Sequence, residues 1–230
     1  MSVVLLPGYM LDADLWREVE PALAPLGPVL HGDLFQDDTI AGMARRVLEA
    51  APQHFVLVGF SMGGYVAREV ARMAPARVAA LVLVATSARA DSDVQRARRE
   101  AIGRRPAETA FRGLSRTALA ASLHPDRAGD AALLGRLRAM GDRLGGTVFA
   151  RQSRLRRDAP DTRLGDIACP TLVVAADHDR LRSLAEAEEL RDGIPGAVLR
   201  VVRGSGHMIP IEAPEALARL VLDFVAQTET

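Results

Sequence analysis

A serine and a histidine of this sequence stand in glycine-rich turns, where their side chains could do chemistry together. Residues 59–63 read Gly-Phe-Ser-Met-Gly, with Ser61 at the centre, and residues 204–208 read Gly-Ser-Gly-His-Met, which contains His207. A serine hydroxyl is a weak nucleophile unless a neighbouring base takes its proton. The pair therefore indicates covalent catalysis, with Ser61 as the nucleophile and His207 as the base.

A carboxylate is needed as a third group, because it holds the histidine in one tautomer and stabilises its charged form. Asp177 and Asp179 both follow the apolar run 171–176 and are candidates for this role. Their position gives the chain order serine, aspartate, histidine, which is the order found when the serine lies on a strand-to-helix turn. The residues alone leave the choice between the two aspartates open.

Short apolar runs, rich in Val and Leu, recur along the chain without alternating with polar residues. This pattern is typical of strands buried on both faces, and hence of a parallel sheet. The predicted strands are 3–6, 28–31, 55–59, 79–85, 171–176 and 197–202. Helical spacing of apolar residues at 40–50, 66–73 and 214–226 predicts intervening helices. Together they predict a doubly wound, mostly parallel α/β sheet of about six strands.

The stretch 87–160 contains no convincing strand and is too long for an ordinary connection. We predict that it is a helical cap inserted between two core segments, 1–86 and 161–230, with helical periodicity at 131–140. Its many arginines are expected to form a solvated helix face. They include Arg96, Arg98, Arg99, Arg104, Arg105, Arg136, Arg138, Arg151, Arg154, Arg156 and Arg157.

The context of Ser61 is more specific than its motif. The run 55–58 predicts a strand and 66–70 opens a helix, so Ser61 lies on a strand–turn–helix, the arrangement called a nucleophile elbow. His207 follows the last predicted strand, which places it at the same edge of the sheet. Structural roles are expected for the other histidines, which are His31, His54, His124 and His178.

Composition sets further limits on function. The chain has 230 residues and a formal net charge of zero, so no excess charge favours nucleic acid or an anionic membrane. The single cysteine, Cys169, excludes an internal disulfide and is expected to be a buried thiol. No apolar run is long enough to span a membrane, and the start lacks signal-peptide features, so a cytoplasmic enzyme is expected. Neither a metal-ligand pattern nor a cofactor fingerprint is present.

The sequence resembles the α/β-hydrolase superfamily over most of its length outside the cap. The motifs that carry the resemblance are 5–10, 59–64, 169–174 with the following Asp179, and 206–215. The resemblance implies that Asp179, rather than Asp177, is the acid. With only two residues before the first strand, the hairpin that opens the usual sheet is expected to be missing.

The resemblance also implies an oxyanion hole formed by the backbone N–H groups of Met62 and Tyr9. The usual His-Gly of that loop is Pro7-Gly8 here, a change that should leave the backbone donors intact. An apolar substrate pocket is expected next to these residues. Its predicted members are Met10, Phe60, Met208, Leu123, Met140 and Phe149.

The predicted function is hydrolysis of small or medium carboxylic esters through an acyl-enzyme. A lactonase, a thioesterase or an acyltransferase would use the same three residues and is not separated from an esterase by the sequence. The alternative of a different class is a ligand-binding scaffold that keeps the fold without catalysis. The expected partner is a small-molecule ester, with no nucleic acid and no membrane, and the sequence does not determine the oligomeric state.

Overall fold

Six strands form one parallel sheet in the computed structural model, which describes residues 1–103, 111, 113–157 and 163–228. The strands are β1 Ser2–Leu6, β2 Val29–His31, β3 Phe55–Phe60, β4 Val78–Val84, β5 Thr171–Ala176 and β6 Val198–Val202. Every neighbouring pair is parallel. The predicted fold class and all six predicted strands are confirmed.

The strand order, β2-β1-β3-β4-β5-β6, creates a crevice at one edge of the sheet. The chain runs from β1 outward to β2, then returns to the other side of β1 and continues in the opposite direction from β3. Such a reversal leaves a crevice at the carboxyl ends of the two central strands, where α/β sheets bind ligands. Leu6 and Gly59 pair at that end, so the loop after β1 and the turn containing Ser61 lie side by side.

Helices cover the sheet and account for most of the described residues between β4 and β5. They are α1 Glu20–Leu23, α2 Ile40–Ala50, α3 Met62–Met73, α4 Asp93–Gly103, α5 Arg116–Ser122, α6 Ala131–Ser153, α7 Leu184–Gly193, α8 Ile209–Glu212 and α9 Pro214–Thr228. The helix α3 starts earlier than the predicted 66. Gly63 and Gly64 have low helix propensity, which hid its first turn from a reading of apolar spacing.

Both faces of the sheet are buried, which is why its strands are apolar throughout. On one face, Val56, Val58 and Phe60 of β3 pack in a core that also contains residues of α9. On the other face, Phe55 and Leu57 pack against α2 and α3. Cys169 lies in this second core as expected, and its burial raises the pKa of its thiol.

The stretch predicted as a cap is helical in the part that the structure describes. It contains α4, α5 and α6, and its described residues include no strand. The helix α6 is interrupted at Gly145, which has a φ of +71° and redirects the last turns of the helix. Pro160, the predicted end of the cap, lies outside the described residues, so the boundaries stay a prediction.

Several arginines of the predicted cap bind residues of the predicted core segment instead of facing solvent, which corrects the expectation of a solvated helix face for them. Arg136 donates to the Glu18 carboxylate at 2.7 and 2.8 Å. Arg151 donates to the Phe35 carbonyl oxygen. By contrast, the side chains of Arg96 and Arg138 are 41% and 53% exposed. Arg104 and Arg105, with the side chains of Arg98 and Arg99, lie outside the described residues.

The residues described contain no helix that combines the length and the apolar character needed to cross a bilayer.

Candidate active site

Ser61 occupies a strained turn between β3 and α3. Its φ is +49°, a left-handed conformation that residues other than glycine rarely adopt and that costs about 1–3 kcal/mol. Hydrogen bonds from both sides hold it there. The Ser61 N–H donates to the Val84 carbonyl oxygen at 2.9 Å, and the Thr86 hydroxyl donates to the Ser61 carbonyl oxygen at 2.7 Å. The turn therefore presents the Ser61 hydroxyl beyond the edge of the sheet.

Glycines beside Ser61 allow the backbone segments of this turn to approach each other closely. A Cβ added at Gly59 would lie 2.7 Å from the Gly63 carbonyl oxygen. One added at Gly63 would lie 2.5 Å from the Leu6 carbonyl oxygen. Real Cβ atoms do not approach backbone atoms so closely, so the glycines are required by packing between α3, β3 and β1.

His207 lies between Ser61 and Asp179. Its Nε2 is 3.0 Å from the Ser61 Oγ, and its Nδ1 is 2.7 Å from the Asp179 Oδ2. The side chains of His207 and Asp179 are 5% and 1% exposed. The ring of Phe60 packs 5.0 Å from the imidazole ring, centroid to centroid. The structure thus brings the three predicted residues into one line of hydrogen-bonding distances, shielded from solvent on the acid side.

The two candidate acids have different surroundings. The second oxygen of Asp179, Oδ1, accepts the backbone N–H groups of Leu181 and Arg182 at 2.7 and 2.9 Å, which fixes the carboxylate toward His207. The Oδ1 of Asp177 instead lies 2.8 Å from the His178 Nδ1 and accepts the Gly204 N–H at 2.9 Å. The geometry therefore favours Asp179 for the role that the resemblance implied.

Glu212 organises the loop that carries His207, and the sequence analysis assigned it no role. Its carboxylate accepts the Gly206 N–H at 2.9 Å and the His124 N–H at 2.7 Å. It thereby ties the histidine loop to the segment after α5. Its place in the motif 206–215, between His207 and the last helix, was the available signal.

A cavity of about 650 Å³ opens at Ser61 and His207. Besides Ser61 and His207, four of the predicted residues line it, namely Tyr9, Phe60, Met62 and Met208. The stretch predicted as a cap, 87–160, contributes more of the wall than the sequence indicated. Its lining residues are Asp91, Gln95, Leu114, Ser115, Thr117, Ala118, Leu119, Ala121, Ser122, Gln152, Ser153, Leu155 and Arg157.

Four predicted pocket residues do not line this cavity. Met10, Leu123 and Met140 are 0% exposed, and the last two pack into the core that contains Phe60. Phe149 packs its ring against Tyr9 instead, at a centroid distance of 6.1 Å. Apolar character predicted burial correctly at these positions, but it does not distinguish a cavity wall from a packed interior.

One wall of the cavity is charged, which corrects the expectation of a fully apolar pocket. The Asp91 side chain is only 2% exposed, and its carboxylate lies 2.5 Å from an Arg157 nitrogen. The Arg157 guanidinium also lies over the Tyr65 ring, 5.0 Å from its centroid. A buried carboxylate needs such a partner, because an isolated charge in a protein interior is strongly disfavoured.

The predicted oxyanion donors come from two segments that border the same cavity as Ser61. Met62 is the first residue of α3, where backbone N–H groups have no acceptor within the helix and the helix dipole favours negative charge. Tyr9 lies in the loop after β1, and both residues line the cavity. Their role as donors stays a prediction.

The described residues contain no group of three His, Cys, Asp or Glu side chains that could hold a metal ion.

A family model described as "alpha/beta hydrolase fold" matches residues 24–214. The chain belongs to this family. Over an alignment of 93 positions, this α/β-hydrolase is 43% identical to the pimeloyl-[acyl-carrier protein] methyl ester esterase of Klebsiella pneumoniae, and the match spans 37% of the chain and 36% of that enzyme. A longer match, 33% identical over 199 residues, is to the putative carbamate hydrolase RutD of Variovorax paradoxus, covering 82% of the chain and 73% of that protein.

A similar solved structure is that of a thermophilic esterase from Thermogutta terrifontis. It superimposes on this α/β-hydrolase with a TM-score of 0.85 at 25% identity, covering 100% of the chain and 91% of the esterase. The prediction of an α/β-hydrolase is confirmed by these matches. The predicted class of enzyme, a hydrolase of carboxylic esters, agrees with the esterases among them.

Proposed function

We propose that this α/β-hydrolase cleaves small or medium carboxylic esters through an acyl-enzyme, with Ser61 as the nucleophile, His207 as the base and Asp179 as the acid. One observation carries the proposal. The His207 Nε2 lies 3.0 Å from the Ser61 Oγ while its Nδ1 lies 2.7 Å from Asp179, at the mouth of a cavity. A serine within reach of an oriented base is the arrangement that activates a hydroxyl.

In the first half of the reaction, the Ser61 Oγ attacks the ester carbonyl carbon as His207 takes its proton. The carbonyl oxygen becomes negatively charged, and the Met62 and Tyr9 N–H groups are the proposed donors to it. The tetrahedral intermediate then collapses, and the imidazolium of His207 gives its proton to the leaving alcohol. Asp179 stabilises the imidazolium throughout and fixes its tautomer.

In the second half, water replaces the alcohol. His207 takes a proton from water as the water oxygen attacks the acyl carbon, and it then returns the proton to the Ser61 Oγ as the carboxylic acid leaves. The enzyme is thereby restored. Lactones and thioesters would react at the same three residues, and in acyl transfer another acceptor would take the place of water.

The cavity supports a small-molecule substrate held partly by the proposed cap, residues 87–160. A volume of about 650 Å³ lies in the usual range for small-molecule sites. The alcohol or acyl group would contact the apolar part of the wall, which includes Leu119, Leu155 and Met208. The cytoplasmic location indicated by the sequence stays a prediction.

The proposal is tested by Ser61→Ala, with Ser92→Ala as a matched substitution at an exposed serine. Ser61→Ala should lower kcat/KM for p-nitrophenyl butyrate by about 10⁴-fold or more and abolish labelling by a fluorophosphonate. Ser92→Ala should leave both unchanged. If Ser61→Ala kept wild-type turnover in a clean preparation, the mechanism would be wrong. If the wild type turned over no ester, lactone or thioester and took up no label, a binding scaffold would be the better reading.

A further inference from the structure

The loop after β1 forms a tight turn at residues 8–11, which we call the oxyanion turn because it contains Tyr9. The Leu11 N–H donates to the Gly8 carbonyl oxygen at 3.3 Å. Met10, at the third position of the turn, has a φ of +55°. Glycine is the usual residue at a position with positive φ, so a methionine there stores strain and needs support from its surroundings.

Gln152, near the end of α6, supplies that support. Its side-chain oxygen accepts the Met10 N–H at 2.9 Å, across 142 positions of the sequence. Its side-chain nitrogen donates to the Leu34 carbonyl oxygen at 3.1 Å. Gln152 is 3% exposed, so water does not compete for these bonds. An amide satisfies one backbone donor and one backbone acceptor at once, which neither a carboxylate nor an apolar side chain can do.

The next residue of α6 holds the other side of the turn. The Ser153 Oγ lies 2.6 Å from the Tyr9 hydroxyl oxygen. Earlier in the helix, Arg143 binds Asp12 at 2.7 Å, just beyond the turn. The kink at Gly145 lies between these contacts and changes the direction of the last turns of α6. The helix α6 therefore binds the segment that follows β1 at more than one residue.

We propose that Gln152 is a positioning residue that keeps the Tyr9 N–H aligned with the substrate oxygen, so that the cap takes part in transition-state stabilisation. The inference rests on the proposed function. The Met10 N–H belongs to the peptide unit next to that of Tyr9, so freeing it allows the whole turn to rotate. An oxyanion donor acts only if it is directed at the position where negative charge develops.

The test is Gln152→Met, which keeps the length of the side chain but replaces the carbonyl acceptor for Met10 with a weakly accepting thioether and removes the donor to Leu34. Losing a whole oxyanion donor costs about 10²–10³-fold in kcat, and a displaced donor should cost about 10–100-fold. We expect that fall in kcat for p-nitrophenyl butyrate, with KM within about threefold of wild type, because the donor acts mainly in the transition state. The endpoint of fluorophosphonate labelling should still count one site per chain.

Thr171→Val is the matched control. Thr171 is 0% exposed and its hydroxyl donates to the Cys169 carbonyl oxygen at 3.0 Å, so this variant also loses a buried side-chain hydrogen bond, but far from the cavity. Below its melting temperature it should keep the wild-type kcat. Equal losses of kcat in the two variants, an unchanged kcat in Gln152→Met, or a loss explained by fewer labelled sites would overturn the inference.

A measurement on the wild type keeps the inference testable if Gln152→Met does not fold. The Met10 amide should exchange with deuterium as slowly as the amides of β1, because a buried acceptor holds it. Fast exchange at Met10 would refute the role of Gln152. If Ser61→Ala retained ester turnover, the proposed function would fail first; if Ser61 is essential but Gln152→Met is as active as wild type, only this inference fails.

Discussion

Asp177 and Asp179 follow the same strand, but their carboxylates point to different partners. Asp179 places one oxygen 2.7 Å from the His207 Nδ1, whereas Asp177 accepts the Gly204 N–H at 2.9 Å and lies beside His178. Burial alone would raise the pKa of Asp177, but the hydrogen bonds from His178 and Gly204 hold it below its ordinary value. The two carboxylates therefore have different structural roles, because Asp179 contacts His207 and Asp177 contacts the loop at Gly204.

We predict that Asp179→Asn lowers kcat by about 10⁴-fold, because an amide stabilises neither the imidazolium nor the required tautomer. Asp177→Asn is the matched control and should lower kcat by less than about tenfold, because Asp177 contacts neither Ser61 nor His207. Steady-state kinetics on p-nitrophenyl butyrate measures both. A larger loss in Asp177→Asn would mean that the acid has been assigned to the wrong residue.

The preferred acyl chain should be short or medium. Interfacial lipases expose a broad apolar surface to bind lipid, whereas α6 here is attached to the core through Arg136 and Arg143. A series of p-nitrophenyl esters from acetate to palmitate should give the highest kcat/KM below the longest chains. A maximum at palmitate that rises further above the micelle threshold would instead indicate a lipase.

The close approach of α3 to β1 predicts that replacing Gly63 by a larger residue destabilises the protein. In Gly63→Ala the new Cβ would overlap the Leu6 carbonyl oxygen, and the variant should lose about 1–3 kcal/mol in the free energy of unfolding. Gly135→Ala is the opposite case, since Gly135 is exposed in α6 with no atom within 4 Å of an added Cβ. It should gain about 0.5–1 kcal/mol. Urea denaturation of both variants checks the difference in sign.

Stability should depend on pH through Glu186 at the start of α7. Burial alone would raise its pKa, but hydrogen bonds from the Ser183 N–H and the Ser87 hydroxyl, with the charge of Arg182, hold the pKa below its ordinary value. A carboxyl whose pKa is lower in the folded state stabilises the protein above its unfolded pKa. That contribution is lost as the pH falls through its folded pKa.

Glu186→Gln should therefore lower the free energy of unfolding at pH 7 by about 0.5–2 kcal/mol, the usual cost of losing a helix cap. The difference in the free energy of unfolding between variant and wild type should narrow as the pH falls below about 4. Denaturation curves at pH 7, 5, 4 and 3.5 measure this, with Glu188→Gln in the same helix as the control. A gap that stays constant over this range would show that the charge of Glu186 does not contribute.

Local patterns predicted the sheet, and they predicted that Ser61, His207 and the two candidate aspartates lie at one edge of it. Strands buried on both faces read as uninterrupted apolar runs, and each of the three polar residues follows a strand at the same edge. Ser61 was identifiable because its strained conformation and close packing require glycines on both sides. The choice of Asp179 needed the family resemblance, and the distance to His207 supports it.

The cavity wall was harder to predict, because it is formed by contacts between distant segments. Met10, Leu123 and Met140 have the composition of pocket residues but are packed in the interior. No pattern in the sequence indicated a role for Gln152, because a lone glutamine near the end of a helix is usually a surface residue. Its contact with the Met10 N–H is visible only in the tertiary structure. Pairings of this kind depend on the tertiary fold and not on the local sequence.

The hydrogen bond between His207 and Ser61 also sets an order of events during synthesis. The two residues are 146 positions apart. At about 5–20 residues per second, a ribosome makes His207 about 7–30 s after Ser61. Throughout that interval the nascent chain carries Ser61 without His207, and β4 has no neighbour β5 until synthesis has passed Ala176. On the proposed mechanism, reactivity toward acyl groups arises only once synthesis has passed His207, and an unfinished chain would not hydrolyse esters.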